Sequence, residues 1–461
     1  MLEQIAVPNI NSRRDAAVEW LKGRINFERT LIAPYNERQL DLDRMRTLLV
    51  RLGQPDAGLR IVHVAGTKGK GSTSSIIAGI LTAAGYHAGV FSSPHLERIE
   101  ERFSIDGVPC TGVELASLVD ELRPVVAAMD AEAAAEGESQ GGPTYFECTT
   151  AIALLYFAQR RVDAAVLEVG LGGRLDSTNV CSPVVSVITS IGFDHMQQLG
   201  NSLAAIAGEK TGIIKPGVPV VTGVTQREPL DVIERIAQEH GCPLIHAEPN
   251  DLLASVQLAM PGEHQRANAA VALATIAELR RQGWCISDDA MRDGLTHAKL
   301  PGRIEVVFGK PTVVIDTAHN PASAQALAAT LADMPRHGRR TLILAVSCDK
   351  DVAGIVQALA PHFDRIVATQ YLENPRAIPA GDLASVVRTE LDRVDLRGRP
   401  AERVEILATP REAWESVCRS AEPDELVCIA GSFYLAAELR PVVLPRQDAG
   451  QGSPRQDAAA I

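Results

Sequence analysis

With 461 residues the chain is longer than one hydrophobic core ordinarily serves, so two domains are expected. Hydrophobic residues make up 46% and aromatic ones only 4%, a balance suited to an α/β protein rich in Ala, Leu and Val. A net charge of −12 excludes nucleic acid as the main partner, because phosphate backbones are bound by basic surfaces, yet a local cationic cluster can still hold a small anion.

The segment Met1 to Asn26 mixes acids and bases without an apolar stretch, so it is not a signal peptide. No run approaches the roughly 18 apolar residues of a membrane helix, so no membrane contact and a cytoplasmic protein are expected. Eight cysteines (110, 148, 181, 242, 285, 348, 418, 428) form no C-x-x-C pair, which predicts reduced, buried thiols in the cytosol.

Short β-branched runs alternate with Ala/Leu-rich stretches, the signature of parallel βαβ units. Ile61 to Ala65 reads as a buried strand and Ser72 to Ala84 as the helix after it. His87 to Phe91, Ala164 to Val169, Val184 to Thr189 and Val218 to Val221 repeat the strand pattern. A second series starts with Val313 to Asp316 and a helix from Ala322, then Thr341 to Val346, Arg365 to Ala368, Val404 to Leu407 and Leu426 to Ala430. Pro301-Gly302 marks the boundary between the series. The expected architecture is α/β, a mostly parallel P-loop-type ATPase domain over 1–302 followed by a smaller Rossmann-like domain over 303–444. Ala131 to Gly142 reads as a flexible insertion and 445–461 as a disordered tail.

The strongest chemical signal is Gly66-Thr67-Lys68-Gly69-Lys70-Gly71-Ser72, between a strand and a helix. Glycines let successive amides turn toward phosphate oxygens, the helix N-terminus adds its dipole, and a lysine reaches the outer phosphates. The pattern is not a literal G-x-x-x-x-G-K-[ST], since two residues separate Gly66 from Gly69. Glu168 ends an apolar strand, where a parallel sheet presents ligand groups, and suits Mg²⁺; an ordinary exposed acid is the alternative. Asp194-His195 follows another strand on the same sheet edge; a lone histidine is ordinarily structural, but beside a candidate magnesium carboxylate His195 suits a second-metal ligand or a proton handler. Asp316 and His319, just past a strand, either face a cleft or, for Asp316, cap the helix near Pro321. Arg303 at the hinge either reaches a phosphate or is a solvated linker residue.

Taken together and in this order, these segments resemble the Mur ligase superfamily and, within it, the folylpolyglutamate synthase/dihydrofolate synthase branch, from about Leu40 to Leu439. Further marks are Ser92-Ser93-Pro94-His95-Leu96, Glu101-Arg102, Thr144-Tyr145-Phe146-Glu147, Glu168 through Asn179, Glu209-Lys210 and Asp316 through Pro321. Ser93 to Leu96 and Thr144 to Phe146 separate the folate branch from the cell-wall ligases. The resemblance implies an ATP-dependent ligase, monomeric, with its site in the cleft between two domains. Its substrates would be L-glutamate and dihydropteroate, a reduced folate, or both, joined through an acyl phosphate.

By the same resemblance, Thr67, Lys68, Gly69, Lys70, Gly71 and Ser72 would hold ATP, with Asn268 at the base and Arg303 and Asp316 completing the site. Ser93, Glu168 and His195 would bind Mg²⁺, with two ions expected. Thr144, Tyr145, Phe146, Leu175, Asp176 and Ser177 would contact the pterin or pteroate part. Lys70, His319 and a carbamylated Lys210 would act in catalysis, and carbamylation requires burial to lower the Lys210 pKa. Departures from the family pattern are Thr211, where Ala is preferred, and Thr317, where Gly or Tyr is common. A ligase acting on a UDP-linked cell-wall precursor shares the ATP residues. A P-loop NTPase switch is disfavoured by the second α/β half.

Overall fold

The computed structural model describes residues 10–27, 42–135, 137, 141–335, 338–393 and 403–444. The chain divides into two compact units between Pro301 and Gly302.

The first unit is built on an eight-stranded sheet. Its strands are β1 (Ile61–Ala65), β2 (Ala88–Phe91), β3 (Phe103–Ile105), β4 (Val108–Pro109), β5 (Ala164–Glu168), β6 (Pro183–Ile188), β7 (Val220–Thr222) and β8 (Leu244–His246). They lie in the order β4-β3-β2-β5-β1-β6-β7-β8. All neighbours run parallel except β3, which pairs antiparallel with β2 and β4. β1 and β5 are buried along their whole length because helices cover both faces, which is why they read as continuous apolar runs instead of alternating ones. Ile61, Ala165 and Leu167 pack into a core with the helices Leu42–Arg51, Gly112–Ala135 and Tyr145–Arg160. Val62, Val64 and Val166 point the other way, into a core with the helices Lys70–Ala83, Glu263–Arg281 and Asp288–His297.

The second unit carries six strands: β9 (Glu305–Val307), β10 (Thr312–Ile315), β11 (Arg340–Leu344), β12 (Arg365–Ala368), β13 (Val404–Ile406) and β14 (Leu426–Ala430). Their order is β13-β12-β11-β14-β10-β9, parallel apart from β9. Val314, Leu342, Leu344, Ile366 and Cys428 form its core with the helices Pro321–Asp333, Val352–Leu359 and Ala380–Arg393.

Several expectations need correction. β3, β4, β8 and β9 were not foreseen; each spans only two or three residues and carries partly exposed positions, so no periodicity announces it. The helix Gly112–Ala135 continues through the start of the segment expected to be flexible, where its run of Ala and Glu favours helix. Residues 136, 138–140 and the expected tail over 445–461 lie outside the described residues. All eight cysteines are free thiols, but only Cys110, Cys148, Cys181 and Cys428 are buried, whereas Cys285, Cys348 and Cys418 are exposed. No helix among the described residues is long and apolar enough to cross a membrane.

Candidate functional site

The turn after β1 is shaped by what surrounds it. Gly69 caps the helix Lys70–Ala83 in the left-handed conformation, φ 82°. A β-carbon there would lie 2.1 Å from Asn268 Oδ1, and one on Gly66, φ 155°, would lie 1.9 Å from Thr189 Oγ1. Side chains are therefore excluded at both positions, and Asn268 sits directly against the turn. Thr67 N donates to Ser190 O (2.8 Å) and Thr67 Oγ1 to Gly192 O (3.2 Å). Lys68 N donates to Ser190 Oγ (3.0 Å), while Thr189 Oγ1 donates to Lys68 O (2.6 Å). Sequence reasoning missed Thr189 and Ser190; the hydroxyl pair closing a strand on the same sheet edge was the available signal. Ser72 is buried in the helix's first turn.

Three lysines surround this turn. Lys68 Nζ lies 3.4 Å from Asp194 Oδ2. Lys70 Nζ and Lys210 Nζ both donate to the same carbonyl, Gly66 O, at 3.2 and 3.0 Å. Lys210 is only 5% exposed, so it is no ordinary helix lysine. Burial first, and the Lys70 charge second, push it down to about 7. Lys70, Lys210, Asp194 and His195 line one cavity with Gly66 and Gly170.

Of the proposed metal ligands, Glu168 is the last residue of β5, 5% exposed, with Oε2 3.4 Å from where a Gly71 β-carbon would stand. Its carboxylate therefore lies beside the phosphate-type turn. Ser93 follows β2, whose Phe91 pairs in register with Leu167, so Ser93 and Glu168 share one sheet edge. His195 Nε2 lies 3.9 Å from Asp194 Oδ1. Among the described residues no group of three or more His, Cys, Asp or Glu could hold a metal. Mg²⁺ binds one or two carboxylates and keeps waters and phosphate oxygens, and Glu168 beside the turn is a carboxylate of that kind.

A second cluster lies beside Gly170. The Phe146 ring packs there, its Cζ 2.5 Å from a built Gly170 β-carbon, so only glycine leaves room for it. Thr144 caps the helix Tyr145–Arg160 in a capping box with Glu147, and Glu147 pairs with Arg44 at 3.0 Å. Ser177 Oγ and Thr150 Oγ1 share a buried hydrogen bond, and Leu175 is buried. Asp176 is committed to its own loop: Oδ2 accepts from Gly170 N (3.0 Å) and Leu171 N (3.1 Å), and Oδ1 accepts from Thr178 N (3.0 Å) and Thr178 Oγ1. Burial pushes its pKa up, and these donors pull it down. Asp176→Ala would strip four donors of their acceptor, the two on Thr178 fully buried, and is expected to destabilise the fold by about 3 kcal/mol, read from denaturant midpoints at constant m.

In the second unit Asp316 follows β10. Its Oδ2 accepts from Ile304 N (2.8 Å) and its Oδ1 from Ala318 N (2.7 Å). Asp316 thus ties the residue after Arg303 to the strand end; the helix Pro321–Asp333 is capped by Asn320, not by Asp316. Arg303 donates to Thr317 Oγ1, so one departure from the family pattern supplies a partner, and its guanidinium lies 4.9 Å from the Phe433 ring. This is not a solvated linker residue. His319 Nδ1 is 2.9 Å from Thr317 O, and its ring is 6.0 Å from Phe433. Phe433 was missed; a Gly-Ser-aromatic run closing the last strand was the signal.

Comparison with known proteins places this geometry. Residues 64–247 match the Mur ligase middle domain and 302–433 the Mur ligase glutamate ligase domain. The dihydrofolate synthase/folylpolyglutamate synthase of Bacillus subtilis is 36% identical over 447 residues, covering 92% of this chain and 97% of the relative. The Escherichia coli protein of that name is 33% identical over 428 residues, covering 89% and 93%. The structure of Mycobacterium tuberculosis folylpolyglutamate synthase complexed with ADP superposes with a TM-score of 0.82 at 30% identity, over 95% of this chain and 100% of that one. E. coli FolC in complex with DHPP and ADP gives 0.77 at 30% identity, over 96% and 100%. The chain belongs to the folylpolyglutamate synthase/dihydrofolate synthase family of Mur ligases.

Proposed function

We propose that the chain is an ATP-dependent ligase that joins L-glutamate to dihydropteroate, to the glutamate tail of reduced folates, or to both. The carrying observation is the glycine turn with Lys70 and Lys210 on one carbonyl and Glu168 alongside, in a chain whose relatives bind ADP. The DHPP held by the E. coli relative supports a pterin acceptor.

The γ-phosphoryl group of ATP bonds to an oxygen of the acceptor carboxylate as its bond to the β-phosphate oxygen breaks and ADP is released. The glutamate amine then attacks the acyl carbon, the C–O bond to phosphate breaks, and the amine gives up a proton. Thr67 to Ser72 cradle the phosphates through backbone amides and Lys70, which neutralises charge developing on the transferred oxygens. Asn268, beside Gly69, serves the nucleotide. Ser93, Glu168 and His195 would hold Mg²⁺, two ions in all, which screens the phosphoryl charge when bound. Thr144, Tyr145, Phe146, Leu175 and Ser177 form the acceptor pocket, with Asp176 fixing the Gly170–Leu171 turn. Lys210 carries a carbamate. In the second unit Arg303 and Asp316 serve ATP, and His319 handles the glutamate end. A two-domain monomer, with an ATP-binding domain that carries the acceptor site over 1–302 and the ligase domain over 303–444, working in the cytoplasm completes the reading.

Phosphate release is measured with ATP, Mg²⁺ and L-glutamate plus dihydropteroate, tetrahydrofolate or a UDP-muramoyl precursor. Turnover with a pterin acceptor, and negligible release without one, is expected. Turnover only with the cell-wall precursor, or equal hydrolysis with no acceptor, sinks the assignment.

A further inference from the structure

Glu101 and Arg102 belong to none of the ATP, metal or acceptor residues. The pair closes a 3₁₀ turn, Ile99–Arg102, that leads into β3. Glu101 grips three consecutive amides of the preceding loop. Its Oε2 accepts from Leu96 N (2.8 Å), its Oε1 from Arg98 N (3.0 Å), and both oxygens from Glu97 N (3.2 Å). Ser92 N donates to Arg102 O at 3.2 Å, so the dipeptide holds both ends of the loop that carries Ser93.

The Arg102 side chain reaches further. It is 1% exposed, and a guanidinium withdrawn from water is retained only where its surroundings repay the desolvation. Its Nε donates to His95 Nδ1 at 2.8 Å, and its carbon lies 5.4 Å from the centre of the Tyr145 ring. Guanidinium does not deprotonate in proteins, so His95 Nδ1 must be the bare acceptor and the ring proton resides on Nε2. One buried cation therefore touches two segments distant in sequence, the Ser92–Arg98 loop and the start of the helix Tyr145–Arg160. Phe146, the next residue on that helix, packs on Gly170, and Gly170 N is held by Asp176.

We propose that Glu101-Arg102 is a positioning pair that locks the Ser92–Arg98 loop to Tyr145 and so sets how tightly the pterin ring of the acceptor is held. This rests on the acceptor pocket proposed above. Arg102 contacts no reacting atom in this scheme; it acts through His95 and Tyr145. Lysine at 102 keeps a cation near the ring but cannot keep the fixed Nε–H geometry, and methionine removes both interactions.

The test is steady-state kinetics of the full chain with dihydropteroate or tetrahydrofolate, varying acceptor and ATP separately, for the unmodified protein, R102K, R102M and E101Q. Acceptor KM is expected to rise roughly tenfold in R102M and severalfold in R102K and E101Q, with the KM for ATP, which the loop serves only through Ser93, rising by a clearly smaller factor. An R102M that fails to fold leaves R102K and E101Q to carry the comparison. Acceptor KM unchanged in the folded variants, or acceptor and ATP KM rising together as a general loosening would give, overturns the positioning role. Absence of pterin turnover in the unmodified protein overturns the functional reading instead, so the two failures are distinguishable.

Discussion

Lys210→Met is expected to lower ligation by roughly 10²- to 10³-fold while leaving a protein more stable than the original in CO₂-free buffer. The lysine is 5% exposed, donates to Gly66 O, and is pushed by burial down to about 7. At neutral pH a large share of it is therefore the free amine that carbamylation needs; the amine nitrogen bonds to CO₂ and one proton is released. The neighbouring Lys70 charge, which now disfavours the ammonium, would favour the anionic carbamate in the same place. Bicarbonate labelled with carbon-13 is expected to give a carbamate carbonyl signal in the unmodified protein and none in Lys210→Met. Full activity of Lys210→Met would remove the carbamate from the mechanism.

The stability arm has a definite sign. The folded pKa lies below the unfolded value of 10.5, so between about 7 and 10.5 the unfolded chain binds the proton more strongly. Burying Lys210 thus disfavours folding, by an amount that is absent above 10.5, grows as pH falls, and is complete below about 7. Methionine removes that penalty, on the order of 3 kcal/mol at pH 7 with the lost hydrogen bond to Gly66 partly offsetting it, and the advantage should vanish as pH approaches 10.5. Denaturant midpoints across that range check it.

The second large effect is expected from Lys70→Met: a fall in kcat of roughly 10²- to 10³-fold with the fold intact. Lys70 begins the helix after left-handed Gly69, its ammonium 3.2 Å from Gly66 O, so in the proposed ATP site the charge would face the phosphoryl oxygens. The loss belongs to the charge that develops during transfer, so kcat should fall more than ATP binding weakens. A cross-effect separates this from general damage. Removing the Lys70 charge relieves Lys210, whose pKa should rise while burial keeps it below that of a free lysine. A Lys70→Met protein with near-normal kcat would move the phosphate-neutralising role elsewhere.

The chain's local chemistry determined a good deal by itself. The glycine turn, the strands β1 and β5, Glu168 at a strand end and Asp316 past another were legible because each depends on neighbours within a few residues: a φ only glycine adopts readily, an apolar run covered on both faces, a polar group where the run stops. Arg365–Ala368 and Leu426–Ala430 were placed to the residue because buried parallel strands are nearly unbroken apolar runs. What only the tertiary structure decided are contacts across long separations. Lys210 reaches Gly66 over 144 positions, and its burial rather than its residue type makes it chemically special. Asn268 is pressed on Gly69, Arg303 stands over Phe433, Arg102 joins His95 to Tyr145, and Asp176 holds the Gly170 and Leu171 amides. Periodicity and propensity report on one element at a time, whereas desolvation and hydrogen-bond partnership depend on which elements the packed sheet and its helices bring together.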